Sequence, residues 1–265
     1  MKHLVFIIII AILFFSCKQE VEVENEVTTN DKVETVEPTD PKETEVWEPI
    51  PPTVHPTGQN GVPSDAIVLF DGTNFDEWVN AEDSTAVKWK LDKEQKSMTV
   101  VLGKEKTNIQ TKRNFGSIQL HIEWKSPTNI VGKDQHRGNS GVFLQSKYEV
   151  QILDNNDNTT YSNGQVGSIY KQSVPLAKAS VPTGEWNTYD IIYHAPEFDE
   201  AGEKTKSATI TVLHNGILIQ DHYKIKGTTE YIGWPKNTPH GKLPLFLQDH
   251  NSDVSYRNIW VRPLD

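Results

Sequence analysis

Three polar side chains lie close together in a stretch of sequence that otherwise has the apolar pattern of β-strands. The stretch Asn139 to Asn156, NSGVFLQSKYEVQILDNN, contains Glu149, Gln151 and Asp154. Because successive side chains of a strand point to opposite faces of the sheet, Glu149 and Gln151 share one face. A β-bulge between Glu149 and Asp154 would turn Asp154 onto that same face. Two carboxyl groups and an amide on one concave surface would form a site for acid–base chemistry.

A second stretch, near the C-terminus, offers other groups that such chemistry can use. The sequence LQDHNSDVSYRNIWV, residues 247–261, contains Gln248, His250 and Arg257. If this strand lies beside the first, a carboxylate, an amide, an imidazole and a guanidinium converge on one curved sheet. Such a surface suits a sugar, whose hydroxyls need paired hydrogen-bond donors and acceptors. The alternative is that these polar groups belong to a solvated outer face.

The elements that position these residues are predicted to be β-strands. The candidates are short alternating or β-branched runs between Gly, Asn, Asp and Pro, at residues 66–70, 98–102, 117–124, 141–145, 149–153, 188–194, 208–213, 217–222, 243–248 and 254–262. The HNG sequence at 214–216 is typical of a type I′ hairpin turn. No amphipathic stretch of helical period exceeds about two turns. The sequence therefore predicts an all-β fold, a sandwich of two antiparallel sheets, in one domain of residues 65–265.

The N-terminus has the layout of a secretory signal rather than of a membrane-spanning helix. Lys2 is followed by an apolar run, Leu4 to Phe15, that is too short to cross a bilayer. The run ends in FFSC, which resembles the lipobox of bacterial lipoproteins, in which the cysteine becomes the lipidated first residue. Residues 1–16 are thus predicted to be a lipoprotein signal peptide, and Cys17 to anchor the protein in the cell envelope, in the periplasm or on the outer-membrane surface. The alternative is an ordinary signal peptide.

Residues 17–64 have the composition of a disordered tether. From Lys18 to Ser64 there are eleven Asp or Glu against three Lys, with hardly any aromatic residue. Such a segment cannot bury enough apolar surface to offset the entropy lost on ordering. Since this tether carries most of the formal net charge of −10, the domain that follows is nearly neutral. The charge balance argues against nucleic acid as a partner.

Segments spread over the whole predicted domain resemble the family of 3-keto-disaccharide hydrolase domains. In chain order they are LFDGTNFDEW (69–78), NSGVFLQ (139–145), YEVQILDN (148–155), VGSIY (166–170), GEWN (184–187), HNG (214–216) and LQDHNSDVSYRNIWVRPL (247–264). The resemblance implies a concanavalin-like jelly-roll sandwich in secreted proteins and lipoproteins. It also implies activity on carbohydrate, namely on glycosides whose sugar has been oxidised to a ketone at carbon 3.

A ketone at carbon 3 changes what the enzyme must supply. It acidifies the hydrogen on carbon 2, so that the glycosidic oxygen on carbon 1 can leave by elimination and water can add back. This route needs a general base, an acid for the leaving group and a group that stabilises the enolate oxygen. We expect Glu149 to be the base, His250 or Asp154 the acid, and Arg257 the oxyanion partner. A divalent metal could replace Arg257, with plausible ligands in Asp134, His136, Asp154 and His250, although their spacing is not diagnostic.

Five further residues are expected to bind the substrate. They are Asn139, Gln151, Tyr170, Trp234 and Gln248. Trp234 lies in a Gly/Pro-rich loop, YIGWPKNTPHG, where large aromatic residues are less often part of a core. Two roles are open for this side chain: it stacks on a sugar ring, or it has a purely structural role.

Two other functions fit the same residues. Laminarinase-like glycoside hydrolases carry Glu-x-Asp-x-Glu or Glu-x-Asp-x-x-Glu on their catalytic strand. This chain has Glu149-x-Gln151-x-x-Asp154, with an amide in the helper position and an acid one methylene shorter. Retaining hydrolysis needs two carboxyl groups about 5 Å apart, so an ordinary glycosidase is less favoured. A lectin-like, non-catalytic carbohydrate-binding domain is the other alternative, since fold does not fix function.

Overall fold

The computed structural model describes residues 37–58 and 61–265. The predicted signal peptide, Cys17 and most of the acidic tether lie outside the described residues, so the predictions made for them stay predictions. The chain divides into two compact units, with the boundary between Pro52 and Thr53.

The described part of the first unit contains one short element. A 3₁₀ helix, Pro41–Thr44, begins after Asp40, whose side chain accepts a hydrogen bond of 3.0 Å from the backbone N–H of Lys42. None of the residues of this helix is buried. Over the described ranges, no helix is long and apolar enough to cross a membrane.

Antiparallel strands make up the second unit. They are β1 (Ile67–Phe70), β2 (Trp78–Asn80), β3 (Lys90–Asp92), β4 (Ser97–Thr99), β5 (Ile109–Phe115), β6 (Ile118–Lys125), β7 (Ser140–Leu144), β8 (Tyr148–Ile152), β9 (Trp186–His194), β10 (Glu197–Phe198), β11 (Lys204–Lys206), β12 (Thr209–His214), β13 (Ile217–Lys224), β14 (Leu243–Leu247) and β15 (Ser255–Pro263). The eight-stranded large sheet has the order β13–β12–β9–β6–β15–β4–β3, with β1 also paired to β15. The five-stranded small sheet has the order β2–β5–β14–β7–β8, and β10 pairs with β11 in a separate ribbon. Short 3₁₀ helices, Asp134–His136 and Ser162–Gly164, lie in the loops.

The core lies between the inner faces of the two sheets. In β6, Ile118, Leu120, Ile122 and Trp124 are buried while the residues between them are partly exposed. Alternating residues of β9, β7 and β14 join them in one hydrophobic cluster. This is the pattern expected when each sheet buries one apolar face against the other. The predicted all-β class and its two antiparallel sheets, in a jelly-roll sandwich, are confirmed.

Five strands are not predicted from the sequence, namely β2, β3, β5, β10 and β11. The longest of these, β5, reads IQTKRNF and exposes three consecutive polar residues, 112–114. It lacks the alternation that identifies a strand from sequence. Pairing with β2 on one side and β14 on the other holds it in the small sheet. Such pairing is set by tertiary context rather than by local propensity.

The hairpin of β7 and β8 positions the predicted carboxyl site. The two strands pair in unbroken register over the whole of β8, which ends before Asp154. The predicted bulge between Glu149 and Asp154 is therefore not formed. Glu149 and Gln151 lie on the face of β8 that points away from the core, while the other residues of the strand join the core. The segment 166–170 bonds to the backbone along the free edge of β8, which is why every residue of this strand is buried.

The second unit begins before the predicted domain boundary at Asp65. Its first residue is Thr53. The backbone N–H of Ser64 donates to the carbonyl of His55 at 3.0 Å, and the N–H of His55 donates to the Ser64 hydroxyl at 3.0 Å. Val62 is 6% exposed. The end of the predicted tether is thus tied to the folded unit.

Candidate active site

A cleft of about 410 Å³ opens on the face of the small sheet that points away from the core. Six residues selected from the sequence line it: Asn139, Glu149, Gln151, Tyr170, Gln248 and His250. The other four lining residues are not predicted from the sequence; they are Lys106, Phe143, Thr229 and Tyr231. The structure therefore brings a carboxyl group, amides and an imidazole together in a cavity of the size that holds small ligands.

The carboxyl group of Glu149 has a strongly raised pKa. Glu149 is 4% exposed, and burial raises the pKa of its carboxyl to about 8. Among the described residues its carboxyl oxygens have no hydrogen-bond partner. With a pKa near 8 the carboxyl group is mostly protonated at pH 7, and its ionised form is a stronger base than an ordinary carboxylate. Such a perturbed group in a cleft is characteristic of a functional site.

Two neighbours determine where this carboxyl group lies. The backbone N–H of Glu149 donates to the hydroxyl of Thr229 at 3.0 Å, which links β8 to the loop that follows β13. Across the hairpin, a Cβ atom at Gly141 would lie 2.5 Å from Oε1 of Glu149. Glycine at this position therefore leaves the space that the carboxyl group occupies.

Amide side chains line the cleft beside Glu149. The Nε2 of Gln151 donates to Oδ1 of Asn139 at 3.2 Å, and the Nδ2 of Asn139 donates to the carbonyl of Gln135 at 2.7 Å. These bonds fix the orientation of both amides. The side-chain oxygen of Gln248 is buried and has no hydrogen-bond partner within the described part of the chain. It is thus available to accept a hydrogen bond from a ligand hydroxyl.

His250 and Lys106 form the basic side of the cleft. Burial, together with the charge of Lys106, lowers the pKa of His250. Asp249 accepts hydrogen bonds from the backbone N–H and the hydroxyl of Thr107, at 2.8 Å and 3.2 Å. This contact joins the loop of Lys106 to the loop of His250, so the two basic groups are held next to each other.

Tyrosines form an aromatic wall on another side. The hydroxyls of Tyr161 and Tyr170 lie 2.7 Å apart, and burial and this hydrogen bond raise the pKa of Tyr170 well above its ordinary value. The ammonium of Lys171 lies 4.6 Å from the ring centroid of Tyr231 and donates to the Tyr231 carbonyl at 2.6 Å. The wall therefore combines an apolar surface with a phenol that stays protonated.

Asp154, predicted as a catalytic acid, lies outside this cleft. Because β8 ends at Ile152 and Leu153 enters the core, the chain turns away before Asp154. Asp154 is 2% exposed, and it pairs with Nε of Arg137 at 2.9 Å. The hydroxyl of Thr183 donates to both of its oxygens at 3.0 Å. The Asp154 carboxylate therefore links the loops that carry Arg137 and Thr183.

Arg257, predicted as the oxyanion partner, lies on the other sheet. It follows Tyr256, which faces the core from β15, and therefore points to the outer face of the large sheet. There its Nε donates to Glu123 at 2.6 Å. Lys106, not Arg257, supplies the positive charge in the cleft.

Trp234, predicted to bind sugar, does not line the cleft either. It is 89% exposed at the tip of a loop whose base is closed by a 2.9 Å hydrogen bond from Thr228 to the carbonyl of Lys236. Tyr231, from the same loop, reaches the cleft instead.

The predicted metal ligands do not converge. Within residues 37–58 and 61–265, no group of three or more His, Cys, Asp or Glu could hold a metal ion. Asp154 forms an ion pair with Arg137. Of the four predicted ligands, only His250 lines the cleft. The described residues thus do not fit a metal as the electrophile.

Comparison with known proteins identifies the family of this chain. Residues 65–262 match the model of the family described as the 3-keto-alpha-glucoside-1,2-lyase-like domain. The chain belongs to this family. The 3-keto-disaccharide hydrolase of Bacteroides thetaiotaomicron is 24% identical over 247 residues, covering 75% of this chain and 78% of that protein.

Solved structures show the same fold. The crystal structure of a proposed glycosyl hydrolase from Parabacteroides distasonis is 48% identical, covers 85% of this chain and 97% of its own, and has a TM-score of 0.79. A second one from that organism is 20% identical, covers 76% of this chain and 94% of its own, and has a TM-score of 0.54. The family resemblance seen in the sequence is confirmed, and the chain carries a 3-keto-disaccharide hydrolase-like domain.

Proposed function

We propose that the cleft binds a 3-keto-glycoside, such as a 3-keto-disaccharide, and cleaves its glycosidic bond after removal of the hydrogen on carbon 2. The observation that carries this proposal is that Glu149 is the single carboxyl group among the described residues lining the cleft. Direct glycoside hydrolysis uses a pair of carboxyl groups on either side of the bond. Elimination next to a ketone needs one base. Family membership supports the 3-keto class of substrate.

Each step has a group available to it. The Glu149 carboxylate takes the proton from carbon 2, and the electron pair of that C–H bond forms the enolate of the ketone. The enolate then expels the oxygen on carbon 1, which breaks the glycosidic bond and leaves a double bond between carbons 1 and 2. Water then adds across this double bond: its hydroxyl bonds to carbon 1, its proton passes to His250, and Glu149 returns its proton to carbon 2, which completes a net hydrolysis. Release of the unsaturated sugar before water adds is instead a lyase reaction.

The basic side of the cleft supports the other two roles. Lys106 stabilises the enolate oxygen, because a fixed cation in a partly dry cleft interacts strongly with a developing negative charge. His250 gives a proton to the leaving oxygen. The amides of Asn139, Gln151 and Gln248 bind sugar hydroxyls.

The proposal is tested by offering the protein matched oxidised and unoxidised substrates. Incubation with 3-keto-trehalose should release glucose, and incubation with trehalose should not. Release of glucose from trehalose alone would support an ordinary glycosidase, and saturable binding of the 3-keto-sugar without turnover would support a lectin-like domain. Either outcome would overturn the proposed reaction.

Substitution of His250 tests the role of the acid. His250→Gln should lower turnover of 3-keto-trehalose by about 10²-fold, since the departing sugar oxygen needs a proton. It should lower turnover of a p-nitrophenyl 3-keto-glucoside by less than about tenfold, because this phenolate leaves without protonation. His194→Gln, at an exposed position of β9, is the control and should change neither rate. Equal losses with both substrates would contradict the assignment.

We also propose that the protein is anchored in the cell envelope by a lipid on Cys17. The support is the FFSC sequence at the end of the apolar N-terminal run. Cells fed a fatty-acid analogue should label the wild-type protein and leave a Cys17→Ser variant unlabelled. A Cys17→Ser protein that still carries the label would remove this assignment.

A further inference from the structure

A second cavity, larger than the first, opens on the outer face of the large sheet. Its volume is about 570 Å³, and its lining includes Glu123, Arg257 and Asn258 from β6 and β15. None of the residues around it lines the cleft of Glu149. The cavity is thus separate from the cleft in which the proposed reaction takes place.

The walls of this cavity are held in place by close packing. Gly72, in the turn after β1, has φ +90°, and a Cβ there would overlap the Cα of Lys96. The turn after β1 therefore packs directly against the turn between β3 and β4. Phe70 and Val62 are buried in the walls, 2% and 6% exposed. Close packing thus fixes part of the cavity wall, and the exposed side chains of Glu94, Gln95 and Lys96 complete the lining.

The floor presents polar groups in a fixed arrangement. The guanidinium of Arg257 stacks over the ring of Trp186 at 4.2 Å, and its Nε donates to Glu123. Nδ2 of Asn258 donates to the other Glu123 oxygen at 2.9 Å. Burial opposes ionisation of Glu123, but the neighbouring His121 and the hydrogen bonds from Asn258 and Arg257 outweigh it and lower the pKa of Glu123 to about 2.

The floor nevertheless retains unused hydrogen-bonding capacity. Within the described part of the chain, the terminal N–H groups of Arg257 and the amide oxygen of Asn258 make no hydrogen bond. Asn258 has φ 46° and lies in an irregularity of the β15–β6 pairing between Arg257 and Trp260. Bulges of this kind redirect side chains next to binding sites. Free donors and a free acceptor thus point outward from one rigid floor.

The charges and the apolar wall indicate what the cavity can hold. Its lining has three carboxyl groups, on Asp71, Glu94 and Glu123, against two cations, Lys96 and Arg257. An anionic ligand is therefore disfavoured. Val68 and Phe70 supply an apolar wall beside the polar floor. An apolar surface next to paired donors and acceptors matches the apolar face and hydroxyl edge of a pyranose ring.

We propose that this cavity is a second, non-catalytic binding site for a neutral sugar unit of a glycan. It would hold the protein on a glycan while the cleft, on the opposite sheet, acts separately. Two linked sites on one chain raise the effective concentration of substrate at the cleft when both engage the same polymer or surface.

The test uses the full wild-type chain, whose proposed reaction does not consume unoxidised sugars, and follows its amide and indole N–H signals by NMR. Trehalose, maltose and cellobiose are added in turn. At least one of them should shift the Gln95 and Asn258 side-chain amides and the Trp186 indole in a saturable way. Absence of these shifts with all three sugars, or shifts confined to Gln151 and Gln248 in the cleft, would overturn the proposal.

Two substitutions separate this site from the cleft. Arg257→Met keeps a side chain packed on Trp186 but removes the donors, and Val68→Trp fills the cavity from a position that is 41% exposed. Arg257→Met should weaken the second-site affinity by about tenfold or more, the equivalent of one or two lost hydrogen bonds. Val68→Trp should weaken it by a similar factor because the indole occupies the space of the sugar. Arg113→Met, which removes a surface ion pair with Glu77, is the matched control. Unchanged affinity in both Arg257→Met and Val68→Trp would contradict the site.

Discussion

Glu149→Gln is expected to lower the turnover of 3-keto-trehalose by roughly 10²–10⁴-fold, the usual worth of a positioned general base. Glutamine keeps the shape and the hydrogen-bonding capacity of the side chain but has no basic lone pair of useful pKa. The affinity for substrate should therefore stay within a few-fold of the wild-type value. Single-turnover rates and equilibrium binding separate the two effects. Glu77→Gln, at a carboxyl paired with Arg113 on the surface, should leave both quantities unchanged.

Isotope exchange tests the same step without relying on a rate. Wild-type protein in heavy water should place deuterium on carbon 2 of recovered substrate or product, and Glu149→Gln should suppress this exchange. A double-displacement glycosidase would leave that hydrogen in place. Full activity of Glu149→Gln would exclude Glu149 as the base. Turnover without any exchange at carbon 2 would exclude proton abstraction from that carbon.

The part of the site that the sequence predicts correctly is the part that follows strand periodicity. Glu149 and Gln151 lie on one face of β8 because alternation is a local property of the chain. Gln248 and His250 follow β14, which has β7 as its neighbour in the small sheet. Their nearness to Glu149 follows from that pairing.

The incorrect placements depend on where strands end and which sheet they enter. Asp154 would share the face of Glu149 only if β8 continued with a bulge, but Leu153 is buried in the core and the strand ends before it. Arg257 is close in sequence to His250, yet β14 belongs to the small sheet and β15 to the large one. The loop between them crosses from one sheet to the other, and no local pattern marks that crossing.

The residues missed by the sequence analysis come mostly from loops. Lys106 precedes β5, which itself lacks a strand pattern, and Thr229 and Tyr231 lie in the loop after β13. Their nearness to Glu149 depends on long-range contacts, such as the hydrogen bonds between Thr107 and Asp249. Loops carry function on a scaffold that strands define, but their positions are not periodic.

Glu149→Gln should also make the protein more stable, and by an amount that depends on pH. Burial raises the pKa of this carboxyl from 4.5 to about 8. Between these values the unfolded chain releases the proton while the folded protein keeps it. Raising the pH from about 4.5 to about 8 therefore lowers the free energy of unfolding of the wild type, by roughly 1.4 kcal/mol for each unit of pKa difference. Glutamine does not ionise, so the variant avoids this loss.

Urea unfolding of the two proteins at several pH values measures this difference directly. Near pH 4 the ionisation of Glu149 should contribute almost nothing to the difference in free energy of unfolding between variant and wild type. At that pH the carboxyl group is largely protonated in both the folded and the unfolded wild-type protein. Near pH 8 the variant should be more stable by on the order of 4 kcal/mol. Glu77→Gln, which removes a surface ion pair, should change stability by less than about 1 kcal/mol at either pH. A gain for Glu149→Gln that is the same at both pH values would show that the carboxyl is not held protonated by burial, and the base would then lack the strength that the proposed proton abstraction needs.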